Sequence, residues 1–154
     1  MKLQSYDLIF YKGKSVFSKL VKWQTDSEYS HTGLLLDNVH IVDTSFRQPL
    51  KVRHFDYKLS EFDAYRVSNL NYLKIEKINN FIQRTLNDKY DYGEIFAYIV
   101  NKYLGISVNH DVDRFVCSSW VNECFKSAGI ELVNGDEFVS PKGLSESERL
   151  EKVN

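Results

Sequence analysis

Cys117, His31 and Asp43 are the side chains in this 154-residue chain whose types and surroundings suit thiol-based acyl chemistry. A thiol attacks as its thiolate, a histidine can take its proton, and a carboxylate can fix the tautomer of the histidine. His31 and Asp43 frame the stretch SHTGLLLDNVHIVD, residues 30–43. It reads as two β runs, 31–36 and 39–43, around Asp37-Asn38, residue types that tolerate the left-handed backbone of hairpin turns. A loop of Leu36 to Asn38 pairs Leu35 with Val39, Gly33 with Ile41 and His31 with Asp43, all on one sheet face because side chains alternate. His40 then points to the other face. A two-residue loop would set Thr44 opposite His31 and turn Asp43 away. Taken alone, the segment is equally an ordinary hairpin with a surface histidine and a strand-end aspartate.

Cys117 lies in DRFVCSSWVNECFKSAGIEL, residues 113–132, where strand-like Phe115-Val116 gives way to a helix expected over 116–128 and closed by Gly129. That puts the thiol in the first helical turn, partly exposed. Free N–H groups and the helix dipole there lower a thiol pKa and can hold an oxyanion. An isolated cysteine is more often a small buried apolar residue. This suits Cys124, which shares a helix face with Trp120, Val121, Phe125 and Ala128. Cys117 and Cys124 are seven residues apart, about 10 Å along a helix, too far for a disulfide and consistent with a reducing compartment.

The elements that must position these groups alternate along the chain. Residues 6–11 read as a strand, 15–23 as a short amphipathic helix, and the regions near 50–55 and 62–67 as two further strands. Helices are expected at 72–86, 93–104 and 116–128, and the polar tail from about Pro141 is expected to be less ordered. Strands first and helices after point to a single α+β domain, 1–154. The composition, 43% hydrophobic and 14% aromatic, can bury one substantial core.

Lys+Arg 20 against Asp+Glu 21 gives a net charge of -1 without a basic block, which argues against a nucleic-acid partner. No stretch approaches the roughly 18 apolar residues of a membrane span, and the N-terminus lacks a signal-peptide core. A cytoplasmic site of synthesis is expected. GKS at 13–15 imitates a phosphate loop, but Leu8 stands where its first glycine is required. His31, His40 and Asp43 could be zinc ligands, yet His40 falls on the wrong face of the hairpin. Neither metal nor cofactor is expected. His54 and His110 read as surface residues without a matched partner.

CSSWVNECFKSAGIEL resembles the cysteine helix of the NlpC-type papain-like cysteine peptidases, in which a Cys-Ser pair opens a helix closing on Ala-Gly-Ile. DLIFY followed by SHTGLLLDNVHIVDTS resembles that family's strand and its His-x-Gly hairpin, whose third polar residue comes twelve positions after the histidine, as Asp43 does here. KYDYG, residues 89–93, resembles its Pro-Tyr-x-x-Gly segment and would make Tyr90 the active-site tyrosine. Typical members run cysteine then histidine. This chain runs histidine then cysteine, the order of the circularly permuted branch that includes YiiX-like bacterial proteins and the lecithin:retinol acyltransferase relatives. The resemblance covers about residues 5–45 and 87–132. Asp43 stands where many members have histidine, Glu94 replaces the second glycine after YDYG, and Ser119 replaces the glycine that often follows Cys-Ser.

The resemblance implies a permuted papain-like fold, an antiparallel sheet packed against the helix that carries the nucleophile. It also implies a Cys117-His31-Asp43 triad working through a thioester, with the Cys117 N–H and the Tyr90 hydroxyl at the oxyanion. Substrates would be amides or peptides, peptidoglycan stem peptides being the family's commonest target. Reaching them without a signal peptide would need lysis, a secretion system or a phage particle. Two alternatives stand beside this: a thiol acyltransferase, amidase or esterase acting on acyl lipids, and a binding module on the same fold.

Overall fold

A continuous apolar run needs cover on both sides, and Leu8–Tyr11 has it: strand β1 is buried along its whole length. The structure, a computed structural model, describes residues 2–13, 27–45, 48–87, 113–134 and 139–153. The helices expected at 15–23 and 93–104, together with Tyr90 and His110, lie outside these residues. Around β1 the strands β2 (His31–Leu35), β3 (His40–Ser45), β4 (Gln48–His54), β5 (Phe62–Val67) and β6 (Leu150–Lys152) form one sheet in the order β4-β3-β2-β1-β5-β6. Every neighbouring pair is antiparallel. Helices α1 (Tyr72–Asn87), α2 (Asp113–Ser127) and α3 (Pro141–Ser145) complete the described fold, which is the α+β class expected.

Alternation along the strands splits the apolar residues between two clusters. Leu8, Phe10, Leu34, Val42 and Val67 meet Ile78 and Ile82 of α1 and Trp120, Val121, Cys124 and Phe125 of α2. Ile9, Tyr11, Leu35, Ile41, Phe62 and Ala64 make the smaller cluster, closed by Phe55. The two long helices touch through the Trp120 Nε1, which donates to Thr85 Oγ1 at 3.3 Å, and helix α2 crosses β2 and β3. Gly129 ends that helix as expected, at φ 74, with Gly129 N–H bonded to Lys126 O and Ile130 N–H to Phe125 O. No helix among the described residues is long and apolar enough to cross a membrane.

The tail is a correction to the expectation of disorder. Ser140 caps α3 by accepting from Gly143 N–H at 3.0 Å, Pro141 takes a first-turn position, and Leu144 is fully buried. Strand β6 then pairs with β5, and Lys152 Nζ reaches Asp63 Oδ2 at 2.8 Å. Main-chain pairing to a sheet edge is indifferent to side-chain polarity, so one apolar anchor and one cap order a segment that composition marks as polar.

Cys124 is wholly buried and unbonded, so Cys124→Ala removes packing and nothing else. The expected cost is about 1 kcal/mol, read as a lower urea midpoint at unchanged slope, whereas Glu123→Ala on the exposed side should stay within about 0.5 kcal/mol. Equal effects of the two substitutions would show that the helix does not bury the face assigned to it.

A candidate cysteine, histidine and aspartate site

The hairpin sets the first two groups. Leu34 pairs with Val42 and Leu35 with Ile41, so the loop is Asp37-Asn38-Val39, one residue later than expected. The expected pairs Leu35 with Val39, Gly33 with Ile41 and His31 with Asp43 are corrected accordingly. The cause is the Asp37 carboxylate: its Oδ1 accepts from Val39 N–H and His40 N–H, both at 2.8 Å, which makes Asp37 the first loop residue and leaves Leu36 bonded to His40 O. The loop is still odd in length. His31, Gly33, Leu35, Ile41 and Asp43 therefore share a face, and His40 lies on the other, beside Asp37 at 2.8 Å and opposite His54 of β4. His54 thus has a cross-strand partner that its sequence surroundings did not suggest.

Continuing the observed register places Gly33 beside Asp43, with His31 one same-face step further along. His31 Nε2 contacts Asp43 Oδ2 at 3.3 Å across this diagonal. Gly33 makes the approach possible, because a Cβ there would stand 2.8 Å from Ile41 Cδ1 and 3.2 Å from Asp43 Cβ. Strand β3 also shifts register between Asp43 and Ser45, and its pairing with β2 stops at Leu34 and Val42.

The open ladder is where the thiol enters. Leu35 N–H bonds to Asp7 O on the β1 side at 2.9 Å, and alternation turns the Thr32 N–H toward β3, which no longer pairs there. Cys117 takes that amide as a hydrogen-bond partner, along with His31 and the Ser118 hydroxyl. Two expectations are corrected. Helix α2 starts at Asp113, with Phe115-Val116 inside it, so Cys117 belongs to the second turn, beyond the free N–H groups. The Cys117 side chain is 1% exposed, not partly open.

The electrostatics follow from these partners. Burial pushes the Cys117 thiol up, but the His31 charge and the hydrogen bonds from His31, Thr32 and Ser118 outweigh it and hold the thiol below its ordinary value. For His31, burial pushes the imidazole down, and the Cys117 thiolate and Asp43 carboxylate lift it well above its ordinary value. The imidazole thus meets Asp43 through Nε2 and also hydrogen-bonds the thiol. Asp43 is raised by burial and lowered more by His31 and Arg53, so it stays ionised. Cys124 has no such partners, and burial alone pushes its thiol up to about 12.

Sequence reasoning missed the surrounding residues. Arg53 on β4 forms an ion pair with Asp43, Nε to Oδ1 at 2.5 Å. Tyr11 stacks on the His31 ring and Tyr57 packs on Tyr11 at 4.5 Å between centroids. An open pocket of about 340 Å³, lined by Tyr11, Lys12, Gly13, His31, Tyr57 and Glu61, reaches the imidazole. No local signal marks Arg53 or Tyr11, since each meets the site only through strand pairing. Among the described residues no group of three or more His, Cys, Asp and Glu side chains is placed to hold a metal ion.

No family model matches the chain. No curated protein matches it either. Among solved structures, the crystal structure of the metalloprotein yiiX from Escherichia coli matches with a TM-score of 0.57 and 21% identity, covering 100% of this chain and 98% of that one. The chain is therefore similar to that protein in fold.

The ionisation argument sets two expectations for iodoacetamide labelling followed across pH. Burial scales the labelling plateau, while the midpoint reports the thiolate. Cys117 should label with a midpoint below the free-thiol value of about 8.5, and His31→Ala should return it to that value or above, because burial is then unopposed. Asp43→Asn and Gly33→Ala should raise the midpoint less, since both disturb the orientation of His31 but keep its charge. An unchanged midpoint in His31→Ala would break the coupling between the two residues.

Proposed function

We propose that this protein is a thiol hydrolase that cleaves an amide or peptide bond, built on a permuted papain-like plan of the NlpC type. The observation that carries the reading is a buried thiol drawn below its ordinary pKa by a histidine that a carboxylate in turn holds. Structural ion-pair networks also shift pKa values, but they seldom centre on a thiolate.

The chemistry then follows from the roles of the residues. The Cys117 thiolate attacks the acyl carbon, and the protonated His31 gives its proton to the leaving nitrogen as the C–N bond breaks. A thioester remains on Cys117. Water, deprotonated by His31, attacks that thioester and releases the acid, restoring the thiolate and imidazolium pair. Asp43 keeps the ring in one tautomer throughout and Arg53 keeps Asp43 ionised. By resemblance, the Tyr90 hydroxyl would hold the oxyanion. The Cys117 N–H is less suited to that task, lying within the helix and not at its start. Peptidoglycan stem peptides remain the substrates that the resemblance favours.

The name of yiiX raises a metal as an alternative centre. The residues do not fit one: among the described residues no three or more His, Cys, Asp and Glu side chains are grouped to hold a metal ion, and Asp43 is shared with Arg53. One observation favours a second reading. With Cys117 1% exposed, a module that binds a ligand at the His31 pocket without turnover would need no access to sulfur.

Incubation with muropeptides, protein isopeptides and acyl lipids, followed by mass spectrometry, separates these readings. Cleavage of an amide substrate should fall by about a thousandfold or more in Cys117→Ala with the fold intact. Cleavage that survives this substitution removes the thiol mechanism. Acyl transfer between lipids, lost in the same variant, would move the protein to the acyltransferase reading. Binding without any product would favour the module.

A further inference from the structure

Strand β1 places Tyr11 directly opposite His31, and the two rings stack with centroids 5.3 Å apart and planes 19° from parallel. Tyr11 is 6% exposed, and its buried hydroxyl has Tyr57 as its hydrogen-bond partner. With the hydroxyl engaged by Tyr57, what this side chain offers His31 is its ring face. Tyr57 packs on that ring with centroids 4.5 Å apart, and burial, with Tyr57 and Asp43 nearby, holds the phenol far above its ordinary pKa and therefore neutral.

We propose that Tyr11 is a positioning residue for His31: its ring face holds the imidazole plane so that Nε2 stays on Asp43 and the ring stays against Cys117. The inference rests on the thiolate and imidazolium pair described above. An imidazole can swing about its outer side-chain torsion, which is broad, and a 3.3 Å contact to Asp43 restrains that swing weakly. A stacked ring restrains it over the whole ring surface. The same face carries the negative pole of an aromatic quadrupole, which favours a cation beside it. The other groups around His31 are Cys117 from α2 and Asp43 from β3, with Arg53 from β4 behind Asp43 and Lys12, Tyr57 and Glu61 at the pocket. Replacing Tyr11 leaves all of these charges in place, so a change in the behaviour of His31 reports the ring.

The test is an NMR titration of the His31 ring in the full chain, with thermal unfolding and the pH midpoint of Cys117 labelling measured on each variant. Tyr11→Phe keeps the face and should titrate as the parent does. Tyr11→Leu removes the face and should shift the imidazolium equilibrium about three- to tenfold toward the neutral ring. That shift moves the His31 titration down by about 0.5 to 1 pH unit and the Cys117 midpoint up. If Tyr11→Leu does not fold, Tyr11→Met, unbranched and adaptable, carries the same expectation. A folded Tyr11→Leu or Tyr11→Met protein with parental titration overturns the role of Tyr11 and leaves the hydrolase reading standing. A parent protein whose His31 titrates near 6.5 overturns both, because no ion pair is then there to position.

Discussion

A charge pair taken out of water persists only when each partner is held by further groups, because desolvation otherwise drives both back to neutral. The proposed thiolate and imidazolium pair of Cys117 and His31 is of this kind, and much of the described structure can be read as what it requires. The sulfur has the Thr32 amide and the Ser118 hydroxyl besides the imidazole. The imidazole has Asp43 beside it and the Tyr11 ring against its face. Asp43 in turn has Arg53. These groups come from five elements, so β1, β2, β3, β4 and α2 all have to be in place before the pair is stable.

That dependence explains two irregularities in an otherwise regular sheet. Fully paired, β2 and β3 would commit the Thr32 amide to the ladder and close the gap that the thiol occupies. Their separation past Leu34 and Val42, with the register shift in β3, leaves one donor for the sulfur without leaving a buried amide unbonded. Gly33 is the second irregularity. A strand interior loses stability at a glycine, and here the missing Cβ is the room into which Ile41 and Asp43 fit.

Much of the frame is legible in the sequence. The odd hairpin loop, the apolar run of β1, the helix over Ile78 and Ile82 and the glycine stop after α2 all follow from periodicity and turn chemistry. The shared face of His31 and Asp43 follows as well, since it needs only the parity of the loop. The offset of the hairpin by one residue does not, because it turns on which of Leu36 and Asp37 opens the loop, a matter of two hydrogen bonds to one carboxylate. Arg53 and Tyr11 were invisible for a different reason. A residue acting across a strand pair leaves no spacing signal, and register is a three-dimensional quantity. The depth of Cys117 is not legible, because Phe115-Val116 fits a strand end or a helix equally well and tertiary packing decides between them.

The burial of Cys117 also bears on how the protein meets oxidants. Thiolates are the species that peroxides convert to sulfenic and sulfinic acids, and susceptibility follows ionisation and exposure together. In this fold the two are uncoupled: the neighbours of the sulfur hold the thiol below its ordinary pKa while almost no surface reaches solvent. Burial shields a thiol of this kind from peroxide, and the same thiol on an open surface would be oxidised first.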